Sequence, residues 1–232
     1  MDTVYEKVVR AAVAAPSGDN SQPWRFVFRK PNTLEFHALV DKDNAAFNVD
    51  GSGTYFALGA AIQNAYLEAK SLGLAPDIHY TTTGTLAATM TLRSGGACSI
   101  LEQTLAEGIP RRHTNRKAYA QKPLLADDRE ALIRAAGGED ASLTLVEDSQ
   151  TIAPISRALT TMEEIALSNK TLHRLFFGSI FWSRERNEAG EHGLYIKTLE
   201  LPPPAQLFFK VLRHWGAARL LARIGFPKMV AE

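Results

Sequence analysis

Residues 15–26 read Ala-Pro-Ser-Gly-Asp-Asn-Ser-Gln-Pro-Trp-Arg-Phe, and they force a change of backbone regime. Upstream, Thr3 stands as an N-cap with Glu6 three positions on, a capping-box signature. Val4, Val8, Ala12 and Ala15 then form a helical i, i+4 stripe that Pro16 stops. Downstream, residues 25–29 and 34–40 alternate as strands around Lys30-Pro31-Asn32-Thr33, a hairpin signal. The chain must therefore pass from helix to hairpin inside one polar loop. Ser17, Asn20 and Gln22 supply donors and acceptors there, Gly18 allows close approach to the backbone, and Trp24 is a flat apolar anchor. Two readings stand open: a turn that satisfies only its own backbone, or a loop that receives a planar, polar-edged heterocycle.

The same alternation repeats along the chain. A turn at residues 50–53 leads into a helix to about Leu72, with Leu58, Ile62, Tyr66 and Ala69 as its buried stripe and Gly73 as its C-terminal cap. Residues 78–82 and 86–93 form a second, Thr-rich hairpin around Gly84, and Ser94-Gly95-Gly96 is a natural boundary. Helices are expected at 100–107, at 126–136 (ended by Gly137-Gly138) and at 152–168, with a strand at 143–146. The pattern is α+β. Residues 175–182 are apolar and aromatic, with Phe176, Phe177, Phe181 and Trp182, and a last helix is expected over about 205–224. From Pro202 onward there are five basic residues and one acidic, which fits a membrane-surface helix or, the favoured reading, a core-packing helix with a solvated face.

Composition narrows the function classes. With 232 residues and 45% hydrophobic content the chain can form one large domain or two small ones. A net charge of +1 argues against a protein built to hold nucleic acid. A single cysteine, Cys98, excludes an internal disulfide and multi-cysteine metal sites, and cytoplasm is the expected compartment. The N-terminus lacks a signal-peptide pattern and no stretch is apolar enough to span a membrane, so no membrane partner is expected. The histidines have no neighbours at metal-ligand spacing, and no Gly-x-Gly-x-x-Gly is present.

The second chemical signal is Arg111-Arg112-His113-Thr114-Asn115-Arg116-Lys117, four permanent positive charges in seven residues. Guanidinium forks with a hydroxyl between them suit a phosphate; a solvated basic loop is the alternative.

Three stretches carry a family resemblance. Ser-x-x-Asn-x-Gln-Pro-Trp after an Ala-rich helix resembles the flavin-contacting loop of the nitroreductase superfamily of FMN enzymes. Gly59-Ala-Ala-Ile-Gln-Asn-Ala-Tyr-Leu-Glu-Ala-Lys-Ser-Leu-Gly73 resembles its long central helix, and Arg112-His-Thr-Asn-Arg116 its Arg-x-Ser/Thr-x-Arg phosphate clamp. Ordinary members begin with the clamp, whereas here it follows the loop by about ninety residues. That order is similar to the fused, tandem Acg-type branch.

The resemblance implies an antiparallel sheet flanked by helices, with two half-units in tandem forming a pseudo-dimer that shares one flavin site. It implies a half-unit at 1–96 with the ring loop, a second, incomplete one at 97–168 with the clamp, and a lid or helical segment at 169–232. Pro16, Ser17, Gly18, Asn20 and Gln22 would meet the flavin ring or ribityl chain, while Arg112, Thr114 and Arg116 would hold the 5′-phosphate. NAD(P)H would be a transient co-substrate and a nitroaromatic or quinone-like molecule the acceptor, with no side chain needed as acid or base. A fused member is expected to continue with a second central helix, which does not appear before Glu232. The chain is accordingly expected to be a shortened relative or to complete its core with another chain, as a pseudo-dimer or a homodimer. Two other classes remain: a flavin-sequestering protein whose lid excludes nicotinamide, and a structural partner subunit.

Overall fold

A computed structural model describes residues 3–43, 48–117, 119–120, 122–136, 142–190 and 192–222. The chain divides into two compact units, Met1–Asn115 with Gly178–Leu199, and Arg116–Phe177 with Glu200–Glu232. In chain order the main elements are α1 (Val4–Val13), β1 (Trp24–Arg29), β2 (Thr33–Ala38), α2 (Ser52–Ser71), β3 (Leu74–Thr83), β4 (Leu86–Ser94) and α3 (Ile100–Gly108). There follow α4 (Ala126–Ala136), α5 (Ser149–Ser168), α6 (Lys170–Gly178), β5 (Ile180–Phe181), α7 (Arg184–Glu188), β6 (Leu194–Tyr195), α8 (Pro203–Leu212) and α9 (Trp215–Ala222).

The first unit is a four-stranded antiparallel sheet, order β1-β2-β4-β3, against α1 and α2. Period-two alternation turns Leu34, Phe36 and Ala38 of β2 and Ala88, Met90 and Leu92 of β4 inward, and register pairs Leu34 with Met90. These side chains meet Val8 and Ala12 of α1 and the small-residue face of α2, including Ala57, Ala61 and Ala65. Small residues let α2 lie close to both layers. Asn64 of α2 donates to the Ala11 carbonyl of α1 at 3.1 Å, fixing their register. Burying Phe36, Leu58 and Met90 stabilises this core by roughly 1.5–3 kcal/mol each. The expected capping box at Thr3 and Glu6 is present, and Gly73 closes α2 with φ +74°. An α/β mixture built on an antiparallel sheet with flanking helices is thus what forms.

Several boundaries differ from expectation. β3 begins at Leu74, not residue 78, and runs through Pro76, because it is an edge strand and an edge tolerates a missing N–H. β2 ends at Ala38, two residues short of expectation. Residues 142–148 contain no strand, since a lone alternating run has no ladder partner among the described residues. Glu147 in that stretch instead accepts from the Leu124 N–H and pairs with Arg129. The expected helix over 205–224 is two helices, broken at Arg213 and His214, where the His214 carbonyl accepts the N–H groups of Ala217 and Ala218. Gly137-Gly138 and residues 223–224 lie outside the described residues.

The second unit is helical. His173 is buried at its centre, its ring against Phe177 and Trp215, and its Nε2–H donates to the Leu212 carbonyl at 2.8 Å. Phe177 also packs on Phe209. The aromatic run at 175–182 is therefore shared out: Phe177 is core in this unit, while Phe181 is core in the first, stacked on Tyr195. Among the described residues no helix is long and apolar enough to cross a membrane.

One charged network links both hairpins of the first unit. Glu35 on β2 accepts from Arg29 Nε at 2.9 Å and from His37 Nε2 at 3.0 Å, and His37 Nδ1 lies 3.1 Å from Thr85 Oγ1. The Arg29 hydrogen bond, then that of His37, holds the Glu35 carboxyl below its usual range. A depressed pKa means that the contribution is present above the unfolded-state value and lost as pH falls through the folded-state one. Glu35→Gln should therefore flatten the acid limb of stability below about pH 4.5, the ordinary glutamate range, measured by urea midpoints. A wild-type slope retained in the variant would assign the acid sensitivity to other carboxylates.

Candidate functional site

The loop after α1 is held by unusual backbone geometry. Residues Gly18–Asn20 form a 3-10 turn, and Asp19, Asn20 and Gln22 all lie in the left-handed region, at φ +49°, +53° and +47°. Left-handed non-glycine residues cost conformational energy that the surroundings must offset, least for Asp and Asn and more for Gln22. Ser17 Oγ accepts the Gln22 N–H at 3.0 Å, and the Gly18 carbonyl accepts the Ser21 N–H at 2.8 Å. Asn20 is clamped from the segment after β5. Its Nδ2 donates to the Gly193 carbonyl at 3.1 Å, and its own carbonyl accepts the Gly193 N–H at 3.2 Å.

Part of the loop therefore serves its own backbone, and part does not. The Ser21 hydroxyl is only 9% exposed and has no hydrogen-bond partner among the described residues. A buried unpaired hydroxyl costs about 1–3 kcal/mol. The Gln22 carboxamide also makes no hydrogen bond among the described residues.

Pro16, Ser17 and Gly18 form one wall of a cleft of about 480 Å³, and Ser52, Gly53, Phe56 and Ala57 of α2 form the other. That volume is within the range of small-molecule sites. Phe56 is 84% exposed, an aromatic face on the solvent side of the first turns of α2. A Cβ on Gly18 would meet only Asp43 Oδ1, at 3.8 Å, so packing within the protein does not require glycine there. At the nearby start of α2 one first-turn N–H is satisfied and a carboxylate is held close by: Asn48 Oδ1 accepts the Thr54 N–H, and Thr54 Oγ1 donates to Asp43 Oδ2, both at 3.1 Å. A carboxylate at that helix start disfavours a second anion. The cleft suits a planar, polar-edged group better than a phosphate.

The basic stretch follows α3. Its turn at Ile109–Arg111 closes with the Arg112 N–H on the Gly108 carbonyl at 3.0 Å, after which residues 112–117 run exposed. The Arg112 guanidinium and the Thr114 hydroxyl have no partner among the described residues. Arg116 donates its backbone N–H to Glu200 Oε2 at 2.6 Å, and Lys117 Nζ lies 3.8 Å from Glu200 Oε1.

The structure thus joins Pro16, Ser17 and Gly18 at one cleft, ties Gln22 to Ser17, turns Asn20 to Gly193, and leaves Arg112 and Thr114 without a hydrogen bond to that loop. Sequence reasoning missed Ser21, Phe56, Gly193 and Glu200. Phe56 had a visible signal, as an aromatic off the buried stripe of its helix. Gly193 and Glu200 had none, because their partners are distant in sequence.

No family model matches the chain. Over 221 residues, 94% of its length, the chain is 26% identical to the uncharacterized protein MT1398 of Mycobacterium tuberculosis. It spans 30% of that protein's length.

Tested against flavin mononucleotide, which the sequence resemblance implies, the residues fit. The Gly18 opening and the Phe56 face at the cleft suit a ring, and Arg112 and Thr114, without a side-chain partner among the described residues, suit a phosphate. Among the described residues no cluster of three His, Cys, Asp or Glu side chains is placed to hold a metal ion.

Proposed function

We propose that the chain belongs to a flavin mononucleotide-dependent oxidoreductase of nitroreductase type. The observation that supports this reading is the loop with three left-handed non-glycine residues beside a cleft walled by Gly18 and Phe56. The bound flavin supplies the redox chemistry, taking electrons from NAD(P)H and giving them to a nitroaromatic or quinone-like acceptor. The protein's part is to bind and orient. Ser17, on the cleft wall, presents a hydrogen-bonding group to the ring edge, with Gln22 assigned beside it by the sequence resemblance alone; Gly18 keeps the backbone open, and Phe56 with Ala57 supplies the apolar wall. Arg112 and Thr114, with Arg116 next along the chain, take the phosphate, and no side chain is assigned as a general acid or base. The tandem pseudo-dimer arrangement belongs to the same proposal.

The test is the visible spectrum of purified protein before and after anaerobic NADPH. Flavin bands that bleach support the reading; protein that stays colourless after FMN is added defeats it. Arg112→Ala should weaken FMN binding about ten- to a hundredfold, the loss of a charge-assisted contact worth roughly 1.5–3 kcal/mol. Equal affinity in the variant would remove Arg112 from the site. One observation favours a second reading, a flavin-sequestering protein: the double hydrogen bond from Gly193 ties another segment to the ring loop. Flavin bands that bleach with dithionite but not with NADPH would select it.

A further inference from the structure

Glu200 has a backbone that its chemistry does not explain. It follows the short turn Ile196–Leu199 with φ +53°, a left-handed conformation for a residue with a branched-off carboxylate rather than a glycine. That conformation delivers the carboxylate to the basic stretch, where Oε2 takes the Arg116 N–H at 2.6 Å and Oε1 faces Lys117 Nζ at 3.8 Å. The hydrogen bond is short, as expected for an ionised acceptor. The Lys117 side chain is 73% exposed, and an ion pair so solvated contributes little stability. Stability is thus a poor account of why strain is accepted here. A backbone N–H beside a cation is also the donor set that a phosphate oxygen uses.

We infer that Glu200 is an internal anion seated on Arg116 and Lys117, and that a phosphate monoester binding to the basic stretch displaces it. The inference rests on the proposed flavin mononucleotide reading and adds a control to it. While Glu200 is seated, its charge offsets part of the positive charge of Arg116 and Lys117, and an incoming dianion meets like-charge repulsion from the carboxylate. A flavin without the phosphate meets neither the seat nor its occupant. The carboxylate therefore sets the affinity for the phosphorylated flavin alone.

The experiment titrates full-length wild type, Glu200→Gln and Glu200→Gly with FMN and with riboflavin, read by quenching of flavin fluorescence. Glu200→Gln should bind FMN roughly three- to tenfold more tightly, with riboflavin affinity unchanged. Glu200→Gly removes the same carboxylate while relaxing the left-handed backbone, so it should show the same gain and covers the case in which the glutamine variant folds poorly. Unchanged or weaker FMN binding in both variants overturns the inference while leaving the flavin reading intact. A gain in the glycine variant but not in a folded glutamine variant overturns it too, because backbone relief would then be the cause. If wild type binds neither flavin, the flavin reading fails and takes the inference with it.

Discussion

Phe36→Ala is expected to lower stability by about 3–5 kcal/mol, a large part of the 5–15 kcal/mol that holds a typical domain. Phe36 is 0% exposed at the middle of β2, one of the two interior strands of the sheet. Its ring stands edge-on to Phe26 at 5.4 Å, and its backbone pairs with Phe26 on one side and Ala88 on the other. Those neighbours are fixed by ladder hydrogen bonds and cannot slide in to fill the space, so the cavity term is added to the lost transfer energy. Urea denaturation compared with Val49→Ala, an exposed position expected within about 0.5 kcal/mol of wild type, checks this. A loss under 1 kcal/mol would mean that the sheet is not the core of the first unit.

Legibility in the sequence followed the range of the interaction. The capping box at Thr3 and Glu6, the cap at Gly73 and the helix at Ala126–Ala136 depend on residues a few positions apart, and all were readable. Both hairpins were readable because alternation and turn residues are local. The start of β3 was not, since only its place at the sheet edge makes Pro76 acceptable. The break at Arg213 and His214 lies within a continuous apolar pattern, so periodicity ran through it. At the candidate site, the loop composition pointed to residues 16–22, but the left-handed backbone of Asp19, Asn20 and Gln22 is invisible in residue types that favour turns anyway. The wall from α2 needed the fold, because residues 52–57 approach residues 16–18 only through the packing of α1 on α2.

Gly193→Ala is expected to disturb the same loop from 173 residues away in sequence. Gly193 has φ +115°, which side-chain-bearing residues rarely adopt, and an added Cβ would lie 2.6 Å from the Ser179 carbonyl oxygen. Neither conflict can be relieved by a rotamer change, because the obstacle is backbone adjoining β5 and its parallel pairing with β6. Strain of roughly 1–3 kcal/mol adds to overpacking of similar size. The chain around Gly193 must move, and with it both hydrogen bonds to Asn20, whose left-handed backbone they hold. Hydrogen exchange should rise at residues 17–22 and 193–195 together. Gly190→Ala is the matched control: φ is +68° and an added Cβ has open space, so only the milder left-handed cost of about 1 kcal/mol applies. Because the ring loop is the proposed flavin contact, Gly193→Ala should also weaken riboflavin and FMN binding alike, unlike substitutions at Glu200. Faster exchange confined to residues 193–195, with the loop still protected, would show that Asn20 keeps its conformation without Gly193.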